Sequence, residues 1–327
     1  MSNWTLPAIT KGIIILNVAI HVIIFLTTFN IGEVSISGQK VLLRGEYYRL
    51  VTNAFTHVGL LHIAMNMSTM LQLGNSMEMQ FGSLPFLFLT IWGVLMIGFI
   101  YVGISYLMWK ISGSFHFMQT SAVGYSGVLF MYAIMEAFHT RVENQSFFGM
   151  CVVPARMYPF VLMIAIQLAM PSISFLGHLS GVIMGLLTVY GISEKIFLPS
   201  LEFCQNLESN ALFGCLVNAN GYVPCGELSN SFKVQNGGES VWSSLWGALA
   251  MVWGYVVNIV STILYIVGCP VERMSLQLTA MGASLRGLFS PLFRSGSETE
   301  RQERQSSGGS VPGGSPRYAR VDQTETV

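Results

Sequence analysis

Residues 157–193 read MYPFVLMIAIQLAMPSISFLGHLSGVIMGLLTVYGIS, 37 residues without one Asp, Glu, Lys or Arg. As a single helix they would reach roughly 55 Å at about 1.5 Å per residue, far past a hydrocarbon layer of about 30 Å. The stretch must fold back on itself. Pro171, followed by Ser172 and Ser174, supplies the break, because proline ends a helix and serine caps the next. The reading is a short fifth span entering near Val153 and a sixth from about Ile173 to Ile192. Arg156 would snorkel at the interface.

Working outward, further charge-free intervals cover 12–32, 50–77, 79–109, 111–135 and 240–271, each long enough for a span of about 20 residues. The chain is 52% hydrophobic and 10% charged, with a mean hydropathy of +0.56. Soluble domains carry about a quarter charged residues, so the solvent of most of this chain is lipid. The expected fold class is an all-α polytopic membrane protein, a six-helix bundle with an additional C-terminal hydrophobic segment. Residues 1–193 form the six-span domain, with an amphipathic loop around Ile31–Arg49. A polar linker covers 194–239; 240–271 is a hydrophobic segment that reads as a seventh span or an interfacial hairpin; 272–327 is a polar tail too poor in apolar residues to fold.

The first apolar stretch, Gly12–Phe29, exceeds a signal-peptide core and has no small-residue cleavage site after it, so it reads as a retained span. Arg141 and Arg156, between the fourth and fifth spans, favour a cytosolic N-terminus. Arg273, Arg286 and Arg294 pull the other way, since seven spans from that start would leave them in the lumen. Net charge is zero and no basic run suggests nucleic acid. The five cysteines lack CxxC spacing, so no metal or cofactor is expected. Cys204, Cys215 and Cys225 would allow one disulfide if the segment after the sixth span is lumenal.

Polar residues inside spans are costly and point to function. Three clusters occur. His62 and Asn66 sit four apart on one helix face. Gly124-Tyr125-Ser126-Gly127 opens the fourth span, and Gly177-His178-Leu179-Ser180-Gly181 lies early in the sixth. With the N-terminus cytosolic, spans two, four and six all run inward from the outer side, and each cluster falls in the first half of its span. All three therefore share one depth. Glycines at 177, 181 and 185 make a stripe that permits close backbone approach in a membrane; with Gly124 and Gly127 opposite, Ser126 and His178 come within hydrogen-bond reach.

These residue types carry a serine-hydrolase chemistry. A serine hydroxyl becomes a nucleophile when a base takes its proton, and His178 is the available base. The oxyanion then needs positioned donors, which the Ser126 N–H, the Asn66 amide and the His62 ring supply. No third carboxylate is evident, so the unit is a dyad. A lone helical serine usually bonds its own backbone, and His62 with Asn66 could simply hold helices together; flanking glycines and His178 turn the reading towards catalysis. His21, His57, His116 and His139 receive no role, and Glu136 reads as lying at the cytosolic interface. The chain has one aspartate, Asp322, which excludes a paired-aspartate protease. No histidine is followed by glutamate, which excludes HExxH zinc chemistry.

With these residues in place, a resemblance to the rhomboid proteases emerges over roughly Arg44–Tyr190. RGEYYRLVTNAFTHVGLLHIAMNM (44–67) resembles the family's first loop and second span, SAVGYSGVLF (121–130) its GxSG motif, and GHLSGVIMG (177–185) its sixth-helix histidine motif. AVGYSGVLF and the tail layout look most like the endoplasmic-reticulum subgroup linked to degradation of membrane proteins. The resemblance implies an intramembrane serine endopeptidase that cleaves single-span membrane proteins near the lumenal face. It also implies membrane-protein degradation machinery as a partner. Phe130 stands where many relatives have tyrosine, keeping a ring to stack on His178. Tyr48-Arg49 stands where relatives often have Trp-Arg, and Arg49 is expected to anchor the loop in headgroups. The rival reading is an inert rhomboid pseudoprotease that binds membrane clients. A transporter is disfavoured by the lack of intramembrane charges and inverted repeats.

Overall fold

The computed structural model describes residues 5–193, 198–226 and 232, all within the first of two units into which the chain divides, Met1–Val241. The expected segment 240–271 and the tail 272–327 lie outside the described residues. Six described helices have 12 or more residues: α1 (Ala8–Thr27), α3 (Leu60–Phe81), α4 (Ser83–Ser112), α6 (Ser126–His139), α7 (Tyr158–Ala169) and α8 (Phe175–Val189). Two single-turn helices intervene, α2 (Arg49–Thr52) and α5 (His116–Gln119). Two of the described helices, α1 and α4, are long and apolar enough to cross a membrane, with mean hydropathies of 2.2 and 2.3. Their outward faces carry large bare apolar side chains such as Ile15, Phe25, Leu26, Ile91 and Phe99.

Helices α6 and α8 form the centre. Their approach is set by glycine: a Cβ on Gly181 would fall on the Gly127 carbonyl oxygen, and one on Gly185 would lie 2.7 Å from the Cβ of Ile134. At Gly177 an added Cβ meets nothing nearer than 3.6 Å. The glycine stripe is therefore obligatory at 181 and 185, whereas position 177 has room. Pro171 ends the fold-back as expected, and Ser174 caps α8 by accepting the Gly177 N–H at 3.2 Å.

Glu78 is the residue a charge-interval reading mistakes for a boundary. It lies inside α3, fully buried, and its carboxylate accepts the Ile9 N–H at 2.9 Å, the Thr10 N–H at 2.7 Å and the Ser83 hydroxyl at 2.6 Å. Two of those N–H groups belong to the first turn of α1, which no intrahelical carbonyl can satisfy. One carboxylate thus joins α1, α3 and α4. Gly82, at φ +91°, connects α3 to α4 by a single residue, and a Cβ there would press on the Cys225 and Pro224 backbone at 3.3 Å.

Three expectations are corrected. Val153 does not begin a helix. It lies in strand β2 (Cys151–Pro154), paired antiparallel with β1 (Asn144–Phe147), and α7 starts at Tyr158. Arg49 does not reach headgroups; it is buried, pairs with Glu46, and donates to the Gly32 carbonyl at 2.9 Å and the Ser35 carbonyl at 3.0 Å. The 31–49 loop is folded around this guanidinium. Finally, the stretch read as linker contains α9 (Leu201–Glu208) and is tied to the bundle by Ala8 N–H to Gly221 O at 2.9 Å and Ser83 N–H to Val223 O at 2.7 Å. Cys151, Cys204, Cys215 and Cys225 are free thiols, with Cys204 and Cys225 buried.

Candidate active site

Ser126 is the first residue of α6, and the chain reaches it through an extended stretch held on three sides. Ala122 exchanges two backbone hydrogen bonds with Ile36 at 3.0 Å each, so the loop built on Arg49 grips the approach to the serine. Gly124 donates to the Asn53 carbonyl at 2.9 Å. Gly124 sits at φ +125°, and a Cβ there would lie 2.8 Å from the His62 ring. Only glycine takes that backbone conformation without strain, and only glycine lets His62 come this close to the serine turn. Starting a helix at Ser126 also leaves its own N–H without an intrahelical acceptor.

On the facing helix, His178 is buried, and its Nε2 lies 3.0 Å from the Ser126 Oγ. The Phe130 ring, one turn beyond the serine, stacks on the imidazole with centroids 4.6 Å apart and planes at 39°. The His178 Nδ1 is buried and has no hydrogen-bond partner among the described residues. Asn66 donates one amide hydrogen to the His62 carbonyl at 2.8 Å, and its Oδ1 is buried without a partner among the described residues.

These groups open on one cavity of about 620 Å³, within the range of small-molecule and peptide sites. Its wall is mostly apolar: Met65, Thr69 and Leu73 from α3, Leu129 and Ala133 from α6, Leu162 and Ile166 from α7. His62, Asn66, Ser126 and His178 form its polar patch. A second cavity of about 30 Å³ touches Ser126 and His178 from behind, beside Asn53, Tyr101 and Ser174, room for about one water. The structure thus brings together all four residues singled out from the sequence. Glu136 lies away from them, accepting the Ser76 hydroxyl at 2.8 Å.

His57, given no role from sequence, belongs to this region. Its ring is fully buried, meets the His62 ring edge-on at 5.1 Å, and accepts the Tyr125 N–H at 3.4 Å. It thereby touches both the residue before the serine and the neighbouring histidine. Its five-residue distance from His62 was the only sequence signal, and no helical period predicts contact at that spacing.

Residues 44–195 match the family model described as the rhomboid domain. The chain carries a rhomboid domain. Among curated proteins it is 28% identical over 234 residues to Rhomboid-like protein 15 of Arabidopsis thaliana, covering 69% of this chain and 57% of that protein. It is 29% identical over 161 residues to Rhomboid-related protein 4 of Homo sapiens, covering 49% and 51%. A third similarity, 27% over 204 residues, is to Rhomboid-type serine protease B of Aspergillus fumigatus, covering 62% and 72%. The chain spans little more than half the length of the first two relatives. Rhomboids are membrane-embedded, which gives the bare apolar faces of α1 and α4 their solvent.

Proposed function

We propose that this rhomboid-family chain is an intramembrane serine endopeptidase in which Ser126 is the nucleophile and His178 the general base. The observation that carries the reading is the 3.0 Å contact between Ser126 Oγ and His178 Nε2 at the edge of the large cavity. The hydroxyl adds to the scissile carbonyl as its proton passes to Nε2. The tetrahedral oxyanion is met by the Ser126 N–H, the second Asn66 amide hydrogen and the His62 ring. Collapse breaks the peptide bond, and His178 returns its proton to the leaving amine. Water, deprotonated by His178, then cleaves the acyl ester and frees Ser126. Phe130 holds the imidazole plane through both steps, and no carboxylate among the described residues bonds His178 Nδ1, which makes the unit a dyad.

In this reading the six longer helices cross the bilayer with the chain's N-terminus cytosolic. Helix α6, with 14 residues, is about 21 Å long and cannot fill a layer of about 30 Å; its first residue is set below the outer surface. Substrates are single-span membrane proteins whose extended segment enters the cavity between α3 and α7. Glycine or proline near the cut eases the necessary unwinding. The membrane is that of the endoplasmic reticulum or another secretory compartment, with membrane-protein degradation machinery as a partner.

The experiment that separates this enzyme from an inert client-binding relative is labelling with a serine-reactive fluorophosphonate. Purified protein in detergent labels once, at Ser126. Ser126→Ala removes labelling and cleavage together, and His178→Ala does nearly the same, because members of a catalytic unit fail non-additively. Labelling that survives Ser126→Ala overturns the proposal.

A further inference from the structure

The chain between α6 and α7 is a β-hairpin whose side chains are placed at some cost. Strands β1 and β2 pair Asn144 with Pro154, Gln145 with Val153, Ser146 with Val152 and Phe147 with Cys151. A two-stranded hairpin is marginal by itself in water. Phe148 and Gly149 form the turn, both at positive φ (50° and 74°), closed by the Met150 N–H on the Phe147 carbonyl at 3.0 Å. Such a turn favours Asn or Asp followed by Gly; a bulky aromatic at positive φ is uncommon and strained. The same Phe148 is 69% exposed, and it heads a row with Met150 at 75% and Val152 at 72%. Val152 lies on the exposed side of β2, and Met150 is the turn residue just before that strand.

The position of the hairpin says what covers this row. Phe147, beside the turn, is buried and lies ring to ring with Tyr158 at 5.7 Å, and Tyr158 is the first residue of α7. A hairpin projecting straight out from the helix ends would carry its turn away from that residue. This one is folded alongside the end of α7. Tyrosine at the end of an apolar helix marks the level of the membrane interface. At the hairpin base, the Arg156 guanidinium lies over the Phe138 ring at 5.3 Å, in the last turn of α6, and Arg141 is exposed on the other flank. Glu143 is the one acid of the segment. Two cations beside an apolar ridge are the pattern of an element lying in the headgroup region of anionic lipid.

We propose that this hairpin is a membrane anchor: Phe148, Met150 and Val152 insert into the leaflet on the side of the chain's N-terminus, while Arg141 and Arg156 meet anionic lipid headgroups. The proposal rests on the reading that α6 and α7 cross the bilayer, and it goes beyond the protease assignment. The anchor fixes the start of α7, the helix that contributes Leu162 and Ile166 to the large cavity.

The test places an environment-sensitive coumarin amino acid at position 148 of the full chain, and separately at Leu168, an exposed residue near the other end of α7. Both proteins are reconstituted in nanodiscs with and without doxyl-labelled phospholipid. The expected result is quenching at position 148 comparable with that at position 168, increasing when phosphatidylserine replaces part of the phosphatidylcholine. Quenching at 168 with none at 148 overturns the anchor and leaves the membrane reading standing. No quenching at either position overturns the membrane reading and the anchor with it. Quenching at 148 that ignores phosphatidylserine removes the role given to Arg141 and Arg156.

Discussion

Asn66 and Glu78 are both buried polar side chains of α3, and the fold treats them in opposite ways. Glu78 is satisfied at both oxygens, by two backbone N–H groups and one hydroxyl. Among the described residues, Asn66 bonds only its own helix through one hydrogen and keeps its Oδ1 unpartnered, as His178 keeps its Nδ1. Native structures satisfy nearly all buried polar groups, so the two ends of one helix distinguish two uses of polarity. Where every polar atom has a partner the group holds helices together; where one is left open, a reacting group can complete it.

The sharpest test removes the serine. Ser126→Ala should lower proteolysis by about 10⁴-fold or more while leaving thermal unfolding in detergent unchanged, because one hydroxyl at an open site supports little structure. A large loss of stability in that variant would break the contrast. Glu78→Ala should do the reverse in kind. It strands three donors at about 1–3 kcal/mol each, so unfolding should become easier by several kcal/mol, with Glu78→Gln recovering part of the loss. Equal stability of Glu78→Ala and wild type would show that the clasp is ornamental.

Asn66→Ala should cost about 10- to 1000-fold in turnover, the range for losing one oxyanion donor, with little change in stability. An unfolding temperature that falls as far as that of Glu78→Ala would move Asn66 into the structural class. The smallest effect belongs to Phe130→Leu. Losing the ring on His178 forfeits about 0.5–1.5 kcal/mol, so turnover should fall several-fold, and Phe130→Tyr should restore it.

The parts legible in the sequence were those whose chemistry is local. Ser126 between glycines, His178 in its glycine stripe and the break at Pro171 each announce themselves within a few residues. Glu78 did not, because a charge in an apolar run reads as the end of a span until its donors are known, and two of its three donors come from α1, 68 and 69 residues away. Arg49 was misplaced for the same reason: its carbonyl partners are 14 and 17 residues back, in a loop with no periodicity. The hairpin was missed because Phe148-Gly149 lacks the Asn-Gly or Asp-Gly signal of its turn, so a strand was read as the start of a span. His57 reaches the site through the backbone of Tyr125, which no pattern in the side chains records.

The brevity of α6, α7 and α8, at 14, 12 and 15 residues, carries a mechanical consequence. On the proposed reading that the six longer helices cross the bilayer, α7, about 18 Å long and less enclosed than the central α6 and α8, would present a much lower hydrophobic wall than α1 and α4, of 20 and 30 residues. A bilayer meeting such a wall thins to match it, at fractions of a kcal/mol per Å. On that reading the surrounding lipid would be under lopsided elastic strain, and acyl-chain length would become a variable of the protein: short-chain lipids would relieve the strain and long-chain lipids raise it.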